Sequence, residues 1–172
     1  MQEQEQVRHR REEWLILSDT HGRMDRVRRV LSLCAPVDGI LFLGDGERDM
    51  KTLEKEHPDL PILCVRGNCD FFSDFPLARI CTVAGHRILL THGHLCGARP
   101  DDLAKAGYDA GAEAVLFGHT HRHQEWTESS DDGRRLFCFN PGSIARPEGG
   151  LPHFGRLTAD EKDLLFSVGT LD

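Results

Sequence analysis

Trp14-Leu15-Ile16-Leu17-Ser18-Asp19-Thr20-His21 is an apolar run that stops on a carboxylate and an imidazole, and four later stretches repeat the form. Ile40-Leu41-Phe42-Leu43 runs into Gly44-Asp45, and Ile62-Leu63-Cys64-Val65 into Gly67-Asn68. Ile88-Leu89-Leu90 runs into His92-Gly93-His94, and Ala114-Val115-Leu116-Phe117 into His119-Thr120-His121. Short apolar runs bounded by glycines and polar residues read as buried strands. In open α/β sheets, ligands bind outside the carboxyl ends of the strands. Carboxylates, imidazoles and one carboxamide gathered on that edge predict a metal site.

Between the runs, Met24 to Leu33 carries apolar residues at helical spacing with arginines among them, the pattern of an amphipathic helix. Arg48 to His57 reads as a polar helix stopped by Pro58 and Pro61. Strand, helix, strand, helix, strand implies a parallel sheet. The pattern then changes. Leu77 to Val83 and Arg87 to Leu90 flank Ala84-Gly85-His86, a hairpin turn. Asp101 to Ala110 predicts a short helix, and His123 to Thr127 and Arg134 to Phe139 predict strands. Phe154 to Thr158 and Leu164 to Val168 predict a last hairpin. A strand-rich second half is most simply buried as a second sheet packed on the first. The expected division is a polar tail over residues 1–12, including the charged stretch His9-Arg10-Arg11, and a single domain over 13–172.

Composition narrows the function. With 21 basic and 28 acidic residues the net charge is −7, which argues against a nonspecific binder of duplex nucleic acid. Nucleotide substrates stay open, because bound metals make a site locally positive. The six cysteines show no CxxC pair, so neither a zinc ribbon nor a thioredoxin-type redox site is indicated. Cys34, Cys64, Cys81 and Cys138 lie among apolar neighbours and read as small buried hydrophobes, which fits a reducing compartment. No run approaches membrane-spanning length, and the polar start has no apolar core of a secretory signal. The expectation is a cytoplasmic protein with no membrane partner.

Each candidate donor also has a plainer role. Asp19 alone could cap the following helix, and Asp45 and Asn68 could be turn residues. In an extended segment residues i and i+2 project to one side, so Asp19 and His21 could grip one ion, and His119 and His121 two neighbouring ones. Two H-x-H segments placed straight after strands are harder to assign to turns alone.

At these residues the chain resembles the calcineurin-like metallophosphoesterase superfamily. Asp19-Thr20-His21 is similar to its D-x-H motif, Gly44-Asp45 to its G-D and Gly67-Asn68 to its G-N. His92 is similar to its isolated histidine and Gly118-His119-Thr120-His121 to its closing G-H-x-H. Gly67-Asn68-Cys69-Asp70, Thr91-His92-Gly93-His94 and Asn140-Pro141-Gly142-Ser143 resemble the small YfcE-like phosphodiesterase branch. The resemblance implies an α/β fold, a four-layer sandwich of two facing mixed β-sheets with helices outside. It implies two divalent metal ions and a small phosphoester substrate cleaved by a metal-bridging hydroxide. Asp19, His21, Asp45 and His121 would hold one ion, and Asp45, Asn68, His92 and His119 the other, with Asp45 bridging. Mixed nitrogen and oxygen ligation without thiolate suits Mn²⁺, Fe²⁺ or Zn²⁺, with Mn²⁺ favoured on family grounds.

One departure is informative. Many members place a histidine after the motif asparagine as general acid, and here Cys69 stands there. His94 becomes the candidate acid, with bracing of a loop as its alternative role; Asp70, Cys69 or a metal-bound water come next. Asn68 is the other catalytic candidate. Cys69 and Cys96 read as packing or loop-shaping residues, His123 and Arg146 as peripheral, and Asn140 as a brace for the ligand loops. Self-association is open, and the alternative function is a non-catalytic scaffold, resembling the retromer subunit on this fold.

Overall fold

The computed structural model describes residues 10–172. Residues 1–9 of the expected tail, with His9, lie outside the described residues. Glu12 already belongs to the first strand.

The first half builds three parallel strands, β1 (Glu12–Leu17), β2 (Gly39–Phe42) and β3 (Ile62–Cys64), joined by helices α1 (Met24–Cys34) and α2 (Glu47–Glu56). The second half adds β4 (Ala78–Val83), β5 (His86–Thr91), α3 (Pro100–Asp109), β6 (Ala114–Leu116), β7 (His123–Ser129) and β8 (Arg135–Pro141). The last hairpin is β9 (His153–Ala159) and β10 (Leu164–Thr170). Two five-stranded mixed sheets result, ordered β10-β9-β1-β2-β3 and β4-β5-β6-β8-β7.

Alternation along the strands sets the layers. Leu15, Leu17, Ile40 and Phe42 pack with Val27, Val30, Met50 and Leu53 of α1 and α2. Their neighbours Trp14, Ile16, Leu41 and Leu43 point the other way and meet Ile88, Leu90, Ala114 and Leu116 of the second sheet. Leu89, Val115 and Phe117, on the far face of that sheet, pack under Leu103 and Ala104 of α3. The order is helix, sheet, sheet, helix, as anticipated. No helix among the described residues is long and apolar enough to cross a membrane.

The last hairpin departs from expectation. It does not join the second sheet; β9 pairs antiparallel with β1, Trp14 opposite Leu157, and completes the first sheet. Parallel β1-β2-β3 leaves the other edge of β1 unpaired, and Leu157 and Ala159 extend the apolar layer between the sheets. Of the four cysteines read as buried, Cys81 is only partly so. Ala84 and Gly85 turn the β4–β5 hairpin, both at positive φ (49° and 94°), the two-residue turn that matches strand twist. His86 therefore belongs to β5, where it is buried.

Candidate metal centre

The C-terminal ends of β1, β2, β3, β5 and β6 open onto one edge shared by the two sheets, and their loops bring the candidate donors together. Donor atoms of Asp19, His21 and His121 lie within 4.8 Å of one another, as do those of Asp19, Asp45 and His92 and those of His21, Asp45 and Cys69. Asp45 Oδ2 is 3.9 Å from His21 Nε2 and 3.5 Å from His92 Nε2. The His21 and His121 rings are 5.4 Å apart on one side, and the His92 and His119 rings 5.2 Å apart on the other. Asn68 Oδ1 lies 3.1 Å from His92 Nε2. All seven residues of the expected donor set converge.

The backbone reaches this arrangement in an unexpected way. Asp19, His21, Asp45, His119 and His121 all have positive φ, between 41° and 72°. The i, i+2 pairs are thus presented by left-handed loop backbone, not by extended segments as the spacing alone suggested. Such residues cost of order 1 kcal/mol or more each and cluster where function requires a fixed geometry. Asp19 is no helix cap either: α1 starts at Met24 after Arg23 without a side-chain cap. Close approach adds a second constraint. A Cβ on Gly67 would sit 2.0 Å from Asp45 Oδ1, and one on Gly118 would sit 2.0 Å from Ser18 Oγ and 2.9 Å from Asp19 Oδ2. The glycines of the G-N and G-H-x-H motifs are there because the Asp45 carboxylate and the Ser18 hydroxyl, respectively, occupy their side-chain space.

Bracing bonds come from residues outside the donor set. Asp19 Oδ2 accepts from Ser18 Oγ and, at 3.2 Å, from the His119 N–H. Asp45 Oδ1 accepts from the Cys69 N–H at 2.7 Å. Asp70 accepts four backbone N–H bonds, from Asp45, Gly46, Glu47 and Gly67, all at 2.8–3.0 Å. Both of its oxygens are committed, so it is a brace and leaves the list of candidate acids. Asn140 donates to the Gly118 carbonyl at 2.9 Å and to Thr120 Oγ1 at 3.0 Å, fixing the H-x-H loop. Ser143, a role the sequence did not suggest, donates to the Asp19 carbonyl at 3.0 Å. His123 Nδ1–H donates to the Asn140 carbonyl, and the Arg146 side chain is exposed.

Protonation follows the charges. Burial opposes ionisation of Asp45, yet His92 and the Cys69 N–H win and hold its carboxyl well below the usual range. Burial likewise opposes a charged His92, but Asp45 and Asp19 raise it. Asp19 raises His121. His94 and His119 are lowered, first by burial and then by His92. The Cys69 thiol is pushed up to about 11 by partial burial and by Asp45, which makes it a poor nucleophile.

Three buried atoms here make no hydrogen bond: Asp19 Oδ1, which has only ion-pair contacts, the nearer with His121 Nε2 at 3.1 Å, His21 Nε2 and His94 Nδ1. Leaving a buried polar atom unpaired costs about 1–3 kcal/mol. Two of the three are donor atoms aimed into the cluster, and a divalent cation is what satisfies both a carboxylate oxygen and an imidazole nitrogen. The residues fit metal ions.

Comparison with known proteins agrees with this chemistry. Residues 13–162 match the model of the calcineurin-like phosphoesterase superfamily domain. The probable metallophosphoesterase YsnB of Bacillus subtilis is 38% identical over 138 residues, covering 77% of this chain and 75% of that protein. The phosphodiesterase YfcE of Escherichia coli K12 is 30% identical over 170 residues, 85% of this chain and 87% of that one. Among solved structures, a conserved Streptococcus pneumoniae TIGR4 protein described as a predicted phosphoesterase superposes with TM-score 0.77 at 26% identity, covering 94% and 90% of the two chains. Vps29 of Chaetomium thermophilum superposes with TM-score 0.68 at 21% identity, covering 93% and 95%, a likeness of architecture alone.

Proposed function

The chain belongs to the calcineurin-like phosphoesterase superfamily, and from that premise we propose that it is a phosphodiesterase with two divalent ions held on either side of Asp45. It is a phosphoester hydrolase of a metal-dependent family; the diester preference, the dinuclear centre and manganese are our reading. The observation that carries the reading is the placement of Asp45 Oδ2 between His21 and His92, each with a second histidine behind it. Asp19, His21, Asp45 and His121 would hold one ion, and Asp45, Asn68, His92 and His119 the other. When bound, such a pair supplies hydroxide at neutral pH and positive charge opposite the developing charge of the phosphoester.

The chain's own groups divide the remaining work. Asn68, exposed beside His92, contacts the phosphoryl group as well as serving as an oxygen donor. His94 lies 5.4 Å from His92 and 6.3 Å from His119 between ring centroids, at the edge of the cluster, and delivers the proton to the leaving oxygen. Burial and the neighbouring imidazoles hold its pKa down. The six free cysteines fit a cytoplasmic setting.

A scaffold on the same fold is the competing reading. It gives no reason for buried donor atoms left without hydrogen bonds or for five donors at positive φ, both of which carry a stability cost. The test is chelation followed by reconstitution. Metal-free protein should be inactive on phosphodiesters, and Mn²⁺ should restore activity better than Mg²⁺, which prefers oxygen ligands and keeps its waters. Full activity in a preparation shown to be metal-free overturns the proposal.

A further inference from the structure

Beside the donor cluster lies a cleft of about 600 Å³ lined by residues of the cluster, by charged residues of both signs from the start of α2 and Asp70, and by Phe71 and Phe72 from the loop after Asp70. The two phenylalanines are 79% and 103% exposed, the most exposed large apolar side chains among the described residues. Among the described residues neither ring packs on another aromatic ring. The loop that carries them is nonetheless fixed. Asp70, immediately before, is held by its four backbone bonds, and buried Ser73 accepts the Phe75 N–H at 3.0 Å. Phe72 has φ 60°, a left-handed conformation that is an outlier for a bulky residue. The loop therefore presents two bare rings, in a strained backbone, next to the cluster.

The charges of the cleft are equally specific. Lys51 is neutralised by Glu47, and the lining carboxylates Asp49 and Asp70 are engaged, the first by Thr20 Oγ1 and the Gly22 N–H and the second by four backbone N–H groups. The exposed Arg48 guanidinium has no hydrogen bond or ion pair among the described residues, on a chain of net charge −7. A free cation lining the same cleft as a metal-type cluster and two bare rings suits an anionic ligand that is also aromatic. The volume falls within the roughly 300–1,000 Å³ of small-molecule sites.

Resting on the phosphoesterase reading, we propose that the substrate carries a planar aromatic group of the nucleobase class, stacked on Phe71 and Phe72, with Arg48 facing its anionic part. Every base has a π-face, so two exposed rings recognise the class without selecting one base. A simple alkyl phosphodiester would leave both rings in water.

Calorimetric titration of the Mn²⁺-loaded chain with AMP and with ribose 5-phosphate isolates the base, since sugar and phosphate are common to both. AMP should bind about 5- to 100-fold more tightly, the usual worth of a stacked base. Phe71→Ser and Phe72→Gly should each shrink that ratio, and the double variant should bring it to within about twofold. Glycine suits the φ of Phe72, so loss of fold does not confound that variant. Equal affinities in the wild type, or an unchanged ratio in both variants, overturn the proposal. So does a wild-type dimer that dissociates in the double variant while the ratio stays the same, because the rings then serve self-association. If both probes bind equally and phosphodiesters are still hydrolysed, the ring subsite fails alone. If neither probe binds and no phosphoester is hydrolysed, the phosphoesterase reading fails with it.

Discussion

Replacing Asp70 by alanine should damage the site without touching any metal donor. Its Oδ1 accepts from the N–H groups of Gly46 and Glu47 and its Oδ2 from those of Asp45 and Gly67. Those bonds cap the start of α2, which has no side-chain cap of its own, with a carboxylate where the helix dipole favours negative charge. They also tie the G-D loop to the G-N loop. Hydrogen bonds to a charged group contribute about 1.5–3 kcal/mol each, so four would sum to about 6–12 kcal/mol if independent. They are not independent: one half-buried carboxylate makes all four, and water can enter the space it leaves. A loss of about 2–4 kcal/mol is therefore expected, and about half of that for Asp70→Asn, which keeps one acceptor. Urea denaturation should show the midpoint shift with an unchanged slope. Elemental analysis should show reduced metal, because Asp45 and Gly67 lose their fixed spacing. A loss below about 1 kcal/mol with metal content intact would refute the bracing role assigned to Asp70.

Removing Asp45 should empty both metal positions together, whereas His121→Ala should chiefly empty one; two metals per chain retained in Asp45→Ala would remove the bridge. His94→Ala should slow turnover by roughly 10²–10⁴-fold with a poor alkoxide leaving group and far less with p-nitrophenolate. Equal losses for both leaving groups would make His94 a bracing residue. His86 makes 2.8 Å contacts to a Glu113 carboxylate oxygen through Nδ1 and to the Asp160 carbonyl through Nε2, and both partners accept, so the ring must carry two protons. Burial opposes that charge, but Glu113 and the Asp160 carbonyl raise its pKa above 6.5. A raised imidazole contributes stability that is full below 6.5 and fades as pH rises through the folded value. The stability gap between wild type and His86→Gln should thus be larger at about pH 5.5 than at about pH 8.5, and a gap independent of pH would contradict it.

The layers of the fold were legible because burial writes itself into alternation. Leu15 and Leu17 face the helices while Trp14 and Ile16 face the second sheet, so a strand buried on both faces appears as a continuous apolar run. Helix ends were displaced by a residue, as at Pro100, which opens α3 because its missing N–H is no loss in the first turn. The partner of the last hairpin was not legible. Phe154 to Thr158 has the same pattern whichever sheet it joins, and only the unpaired edge of β1, a property of the assembled sheet, decides between them.

The site shows the same division between what a residue type announces and what only the folded chain can specify. Histidine and aspartate after a strand announce metal chemistry, and all seven expected donors meet. The means of meeting is silent in the sequence, since nothing in Asp19-Thr20-His21 distinguishes extended from left-handed backbone, and the structure places both ends of that triplet at positive φ. Asp70 was equally silent: a carboxylate next to a metal motif suggests chemistry, and only the four N–H groups around it reveal a brace. These two omissions are connected. Loops held in an unfavourable conformation need bonds from elsewhere to keep them there, and Asp70, Asn140 and Ser143 supply them to the G-D, G-H-x-H and D-x-H loops respectively. Asn140 was legible as such a brace; Asp70 and Ser143, which were not, equally let the obvious residues act.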